Sequence, residues 1–114
     1  MNVSAADDRT SPLDQTQMAE NAHEAAAFLK AIGHQGRLMI LCHLVSGEKT
    51  VNELERLLSM RQAAVSQQLA RLRGEGLVAP RREGKSICYR LADDRARRLL
   101  SVIYEIFCAR DGAR

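Results

Sequence analysis

Between Thr50 and Leu91 the hydrophobic period changes from helical to alternating, and few folds accommodate that order of elements. Val51, Leu54, Leu57 and Leu58 recur at three-and-four spacing. That spacing predicts a short helix with these four on its buried face and Asn52, Glu53, Glu55 and Arg56 turned outward. After a tight turn, Val65, Leu69 and Leu72 predict the buried stripe of a second helix. Gln62, Ser66, Gln67 and Arg71 point away from that stripe, with side chains able to hydrogen-bond base edges and phosphates. Gly74 and Gly76 flank Glu75 where the helical period ends, and Leu77-Val78 opens a strand. Arg81, Arg82 and Lys85 surround an expected Glu83-Gly84 turn, and Ile87, Tyr89 and Leu91 alternate along the returning strand.

A supporting helix, a recognition helix and a basic hairpin in that order predict a winged helix-turn-helix, mainly α with a small β-hairpin wing. Charge follows the same geography. The chain is +3 overall, but residues 61–90 carry seven Arg or Lys against Glu75 and Glu83, which makes that stretch +5 and leaves the remainder −2. The basic excess falls on the surface that would face double-stranded operator DNA. Gln62, Ala63, Ser66, Gln67 and Arg71 are the candidates for major-groove contact, and Arg81, Arg82 and Lys85 for phosphates or the minor groove beside the wing. A helical hairpin with a solvated, Arg-rich face, or a winged helix used only for protein contacts, would carry the same charge pattern.

At 114 residues and 46% apolar content, the chain has room for one small globular domain and none for a separate ligand-binding domain. Any signal is therefore expected to be sensed within the DNA-binding fold. Residues 1–15 are polar and acidic with little to bury, so a flexible tail is expected there, followed by a winged-helix and dimerisation domain over 16–111. Met18, Ala22, Ala25, Ala26, Leu29 and Ile32 predict a packing helix from Gln15 to Ile32. Gly33-His34-Gln35-Gly36 breaks it, and RLMILCHLV from Arg37 to Val45 predicts a central helix. Asp93 and Asp94 are placed to cap a last helix reaching about Ala109. That helix has more apolar surface than one face of a monomer needs, which predicts a homodimer built by the first and last helices. No apolar run reaches membrane-span length and the N-terminus lacks the pattern of a secretion signal, so a cytoplasmic protein without membrane contact is expected.

Three cysteines without regular spacing do not make a disulfide framework. Cys42 lies four residues after Leu38 and Cys108 four after Tyr104, on faces expected to be packed, where inert core thiols also occur. Cys88 alternates with Ile87 and Tyr89 on the wing strand and is expected to be structural or incidental. His23, His34 and His43 show no i, i+4 pair that would clasp an ion and are expected at surfaces or helix ends.

The element order, together with LKAIGHQGRLMILCHLVSGEKTVNELERLL and VSQQLARLRGEGLV, resembles the ArsR/SmtB family of small dimeric bacterial repressors over nearly everything after the tail. The resemblance implies a homodimer that holds an operator until an inducer reaches a site within the dimer. Metal-sensing members commonly carry a Cys-x-Cys type pair on the supporting helix or Asp and His ligands along the last helix. Neither set is present here, so no metal site and no cofactor are expected. Cys42 in RLMILCHL and Cys108 in YEIFCAR are instead similar to the dithiol of the sulfide-responsive, persulfide-sensing BigR/SqrR subgroup. This resemblance implies that the two thiols, sixty-six positions apart, approach each other, and that low-molecular-weight persulfides act as inducer by joining them through added sulfur, releasing DNA.

A direct disulfide needs Cα atoms within about 4.4 to 6.8 Å, so thiols held slightly farther apart by two packed helices would favour a sulfur chain that spans a longer gap with less strain. A general thiol-oxidation or soft-metal sensor on the same scaffold is the competing regulator. An enzyme is not expected, because the sequence contains no phosphate-cradling glycine loop and no His or carboxylate plausibly paired with a cysteine nucleophile.

Overall fold

The computed structural model describes residues 12–109, and the chain divides at Gly33 into two compact units. That boundary falls inside the 16–111 span expected to form one domain. The first unit contains helix α1 (Pro12–Ile32). It starts at Pro12, ahead of the Gln15 where the apolar stripe opens, because proline suits the first helical turn, whose N–H groups have no intrahelical acceptor. Residues 12–15 are therefore helical, whereas the rest of the expected tail lies outside the described residues. Of the stripe, Ile32 is buried, but Met18 and Leu29 are more than half exposed.

The second unit runs α2 (Gln35–Val45), β1 (Lys49–Thr50), α3 (Val51–Leu58), α4 (Gln62–Gly74), β2 (Val78–Glu83), β3 (Ser86–Leu91) and α5 (Asp94–Tyr104). A π-helical turn, Glu105–Ala109, continues α5. Helix α2 is central as expected: Ile40, Leu41 and Leu44 are buried, and the helix packs against α3, α4, α5 and β3. His34 caps it, with Nδ1 accepting from the N–H groups of Gly36 at 3.1 Å and Arg37 at 3.4 Å.

Thr50 and Glu53 close a capping box on α3. The Thr50 hydroxyl accepts from the Glu53 N–H at 3.1 Å, and the Glu53 carboxylate accepts from the Thr50 N–H at 2.7 Å. Leu54 and Leu58 are buried, but Leu57 is 49% exposed, contrary to the four-residue face expected. One helical turn buries a single narrow arc, and Leu57 lies outside it. The helix ends at Ser59, a non-glycine residue in the left-handed region (φ 53°), and Arg61 is already the N-cap of α4.

Val65, Leu69 and Leu72 of α4 are fully buried, as their spacing predicts. A Schellman closure ends this helix. The Leu77 N–H donates to the Leu72 carbonyl and the Gly76 N–H to that of Arg73, both at 2.9 Å, with Gly76 at φ 77°.

The sheet has the order β1-β3-β2, all antiparallel. Glu83 pairs with Ser86, so the hairpin turn is Gly84-Lys85, one residue later than expected. Gly84, at φ 62°, supplies the conformation that a two-residue turn requires at its first position. Strand β1 was not foreseen. Lys49 and Thr50 pair with Tyr89 and Cys88, and two residues are too few to show alternation.

Asp93 caps α5, accepting from the Arg95 N–H at 2.7 Å and the Ala96 N–H at 3.4 Å. Arg95 holds the Asp93 carboxyl below the usual carboxylate range. Ala96 and Leu100 are buried, whereas Val102, Tyr104, Ile106 and Phe107 are 47 to 64% exposed.

Candidate nucleic-acid interface and thiol cleft

Burying Val65, Leu69 and Leu72 turns the opposite side of α4 to solvent. Gln62, Ala63, Ser66, Gln67 and Arg71 are all exposed there, the face on which they were placed. Arg71 shares an i, i+4 ion pair with Glu75 at 3.7 Å; both ends are nearly half exposed, so the pair holds the guanidinium only weakly. Gln68 belongs to neither face: it is half-buried, and its Oε1 accepts from Arg37 Nη1 of α2 at 3.2 Å.

The three cations of the wing are not equivalent. Arg82 and Lys85 are exposed near its tip. Arg81 Nε donates to Glu48 Oε1 at 3.1 Å, and its Nη2 lies 3.4 Å from Glu83 Oε1. Arg81 holds the Glu48 carboxyl below the ordinary range, and the two carboxylates in turn raise the guanidinium's hold on its proton. A phosphate would have to compete with Glu48 for Arg81, but not for Arg82.

A concavity of about 240 Å³ lies between Thr50, Asn52 and Gln62 on one side and Lys85, Ser86 and Ile87 on the other. The start of the recognition helix and the wing tip thus border one groove. A second, open concavity of about 570 Å³ follows α3 and the turn, bordered by Asn52, Arg56, Ser59 and Arg61 among others. Asn52, Arg56 and Arg61 are not among the contacts expected from the sequence. The signal available was that Asn52 and Arg56 fall on the outward arc of α3.

Cys42 on α2 and Cys108 in the π-helical turn line one cleft of about 460 Å³, walled by Leu38, Met39, Ile103 and Phe107. His43 also borders it. Both cysteines are free and exposed, which corrects the expectation of packed faces drawn from spacing alone. Cys42 borders a further groove of about 200 Å³ with Val45, Leu100, Ser101 and Tyr104. Partial desolvation against the cleft wall, and secondarily the neighbouring Cys108, push the Cys42 thiol above its ordinary pKa although its surface remains largely open. Arg97 of α5 donates through Nη1 to the Val45 carbonyl at 3.3 Å, tying α5 to the end of α2.

Cys88 stands apart in β3, opposite Thr50 and Arg81. It is buried, and its Sγ donates to Glu83 Oε1 at 3.5 Å. Burial and the Glu83 carboxylate raise its pKa. Among the described residues no cluster of three His, Cys, Asp or Glu could hold a metal ion, and no helix is long and apolar enough to cross a membrane. His23 is exposed on α1, His34 is a helix cap and His43 lies at the cleft.

Residues 34–79 match the family model of the bacterial regulatory proteins of the arsR family. A biofilm growth-associated repressor of Agrobacterium fabrum is 51% identical over 92 residues, covering 81% of this chain and 79% of that protein. The crystal structure of the transcriptional repressor BigR from Xylella fastidiosa superposes with a TM-score of 0.77 at 44% identity, over 84% of this chain and 95% of that one. The homodimeric winged helix-turn-helix DNA-binding domain of Mb0332 from Mycobacterium bovis superposes with a TM-score of 0.69 at 31% identity, over 79% and 83% respectively.

Proposed function

The chain belongs to the arsR family of bacterial regulatory proteins, and from that membership we propose that it is a homodimeric repressor that releases operator DNA when a persulfide joins Cys42 to Cys108. The observation that carries the sensing part is the single cleft bordered by both thiols, which lie sixty-six positions apart in the chain. The DNA-binding part is supported by an exposed Gln/Ser/Arg face on α4 beside a basic wing. Two such faces related by a twofold axis reach successive major grooves about 34 Å apart on a palindromic site. The homodimeric Mycobacterium bovis domain and the exposed apolar residues Val102 of α5 and Ile106 of the π-helical turn that continues it support assembly of a pair.

The thiol chemistry needs a persulfide, RSSH, as oxidant. The first attack is assigned to Cys108, exposed in the π-helical turn at the end of α5. Its thiolate takes the outer sulfur of one persulfide, forming Cys108–S–SH and releasing RSH. A second persulfide extends this to Cys108–S–S–SH with loss of another RSH. The Cys42 thiolate then attacks the inner added sulfur and expels hydrogen sulfide, leaving Cys108–S–S–S–Cys42. Two thiols and two persulfides thus give one trisulfide link, two RSH and one hydrogen sulfide. Capping Cys108 removes the negative charge that disfavours ionisation of Cys42, so the first step promotes the last. Helix α2 packs on both α4 and β3, so drawing the end of α5 onto α2 shifts the base against which the recognition helix and wing are set.

The test exposes the reduced protein to glutathione persulfide and, separately, glutathione disulfide. Peptide mapping by mass spectrometry is then paired with binding to a DNA duplex selected from a random pool by the reduced protein. The expected result is a Cys42–Cys108 link with added sulfur, formed only with the persulfide, and loss of DNA binding. Unmodified thiols in both arms, and equally with dimethyl trisulfide, would reduce the pair to packing residues. A direct disulfide formed equally well by both reagents would make the protein a general thiol-redox regulator.

A further inference from the structure

The lining of the dithiol cleft bears on which sulfur donors can enter it. Leu38, Met39, Ile103 and Phe107 wall it, and among the described residues its border includes no Lys, Arg, Asp or Glu. His43 is the single side chain besides the thiols that can hold a proton there. A glutathionyl donor carries two carboxylates and an ammonium on each glutathione unit, and one imidazole offers no match for them. Moving such charges against an apolar wall without partners is unfavourable, whereas burying an alkyl group there is favourable. At about 460 Å³ the cleft is within the size range of small-molecule sites. Ile103 and Phe107 line the cleft, whereas the neighbouring Val102 and Ile106 are not part of its wall.

We propose that the Cys42–Cys108 cleft selects neutral, apolar donors of sulfane sulfur, with dialkyl trisulfides as the model class, over charged glutathionyl donors. The proposal rests on the dithiol reading above and names the substrate class of that site. With R–S–S–S–R, the Cys108 thiolate attacks the central sulfur and displaces one RS⁻. Cys42 then attacks the same sulfur and displaces the second. The products are Cys108–S–S–S–Cys42 and two RSH, which carry off the two thiol protons and the two electrons lost by the pair. Each methylene buried along the wall is worth about fourfold in binding.

The test measures the second-order rate of link formation with dimethyl, diethyl and dipropyl trisulfide and with glutathione trisulfide. Each rate is divided by that of free N-acetylcysteine with the same reagent. The normalised rate should rise about two- to fourfold per methylene along the alkyl series, with glutathione trisulfide at least tenfold below the dipropyl compound. Met39→Lys and Phe107→Lys, both at exposed positions, should reverse the order by lowering the alkyl rates and raising the glutathione trisulfide rate. A flat alkyl series, or lysine variants that leave the ratios unchanged, would overturn the selectivity while leaving the sensor intact; a cleft filled by a second copy of the chain would produce that flat series. Absence of an added-sulfur link with every donor would remove the sensing reading and the selectivity together.

Discussion

Cys42 holds its proton more tightly than an ordinary thiol, first because it is partly desolvated and then because Cys108 lies nearby. Removing the second cause leaves the first. In Cys108→Ser, the pH midpoint for alkylation of Cys42 by iodoacetamide should therefore fall below that of the wild type while staying above the ordinary thiol value. An unchanged midpoint would mean that the thiols do not interact. Cys88 is under a different constraint. Buried and hydrogen-bonded to Glu83, it should remain unmodified while two thiols react rapidly with Ellman's reagent, the third appearing only on unfolding. Both shifted thiols have folded-state values above their unfolded ones. Their contribution to stability is thus fully present below the ordinary thiol value and lost as pH rises through the folded values. Glu53 has the opposite sign. Its carboxyl is lowered chiefly by the Thr50 N–H, so its contribution is present above the ordinary carboxylate value and disappears as acid protonates it. Urea unfolding should show Glu53→Ala less stable than wild type near neutral pH, with the gap closing in acid.

Within the reading head, α3 supports and α4 presents. Leu72→Ala should cost about 2 to 5 kcal/mol by urea unfolding, because that side chain is fully buried on the inner side of the recognition helix. Thr50→Ala should cost about 1 kcal/mol, the usual loss on removing a capping hydroxyl. On the exposed side, Gln67→Ala should relax base preference, with about 1 to 3 kcal/mol of discrimination lost at one operator position. Arg82→Ala should instead weaken all sequences alike and flatten the salt dependence by about one unit of slope. Arg81→Ala should flatten it less, since Glu48 already occupies that guanidinium. Equal slopes for the two arginine variants, from binding isotherms at several salt concentrations, would show that phosphate displaces Glu48 without cost. Local rules place the helices and the hairpin but miss the start of α1, the start of α2 and the hairpin turn by one to three residues, and they put Arg81 with Arg82 and Lys85 because its carboxylate partner lies thirty-three residues earlier in the chain. No local pattern signals that ion pair.

At the scale of the whole molecule, Val102 and Ile106 leave an apolar strip along α5 and its π-helical continuation whose burial by a second copy would link two recognition helices. Ile106→Glu places a charge in that strip. Sedimentation should then show monomer where the wild type is dimeric, and operator affinity should fall by about a hundredfold or more, because the second half-site is no longer engaged intramolecularly. A dimeric Ile106→Glu protein would move the interface elsewhere. The winged-helix order, the buried stripe Val65-Leu69-Leu72 and the outward set Gln62, Ala63, Ser66, Gln67 and Arg71 were legible in the sequence by itself, since hydrophobic period records which side of an element is buried. Tertiary structure alone decided four further features. They are the existence of β1 beside β3, the exposure of Leu57, the capture of Arg81 by Glu48 and the apolar wall of the cleft that Cys42 and Cys108 both border, the approach of the two thiols being implied by the family resemblance but by no local spacing. Periodicity is a property of one element, whereas these features depend on which elements pack together, and contacts between residues far apart in the chain leave no mark in the local spacing of either partner.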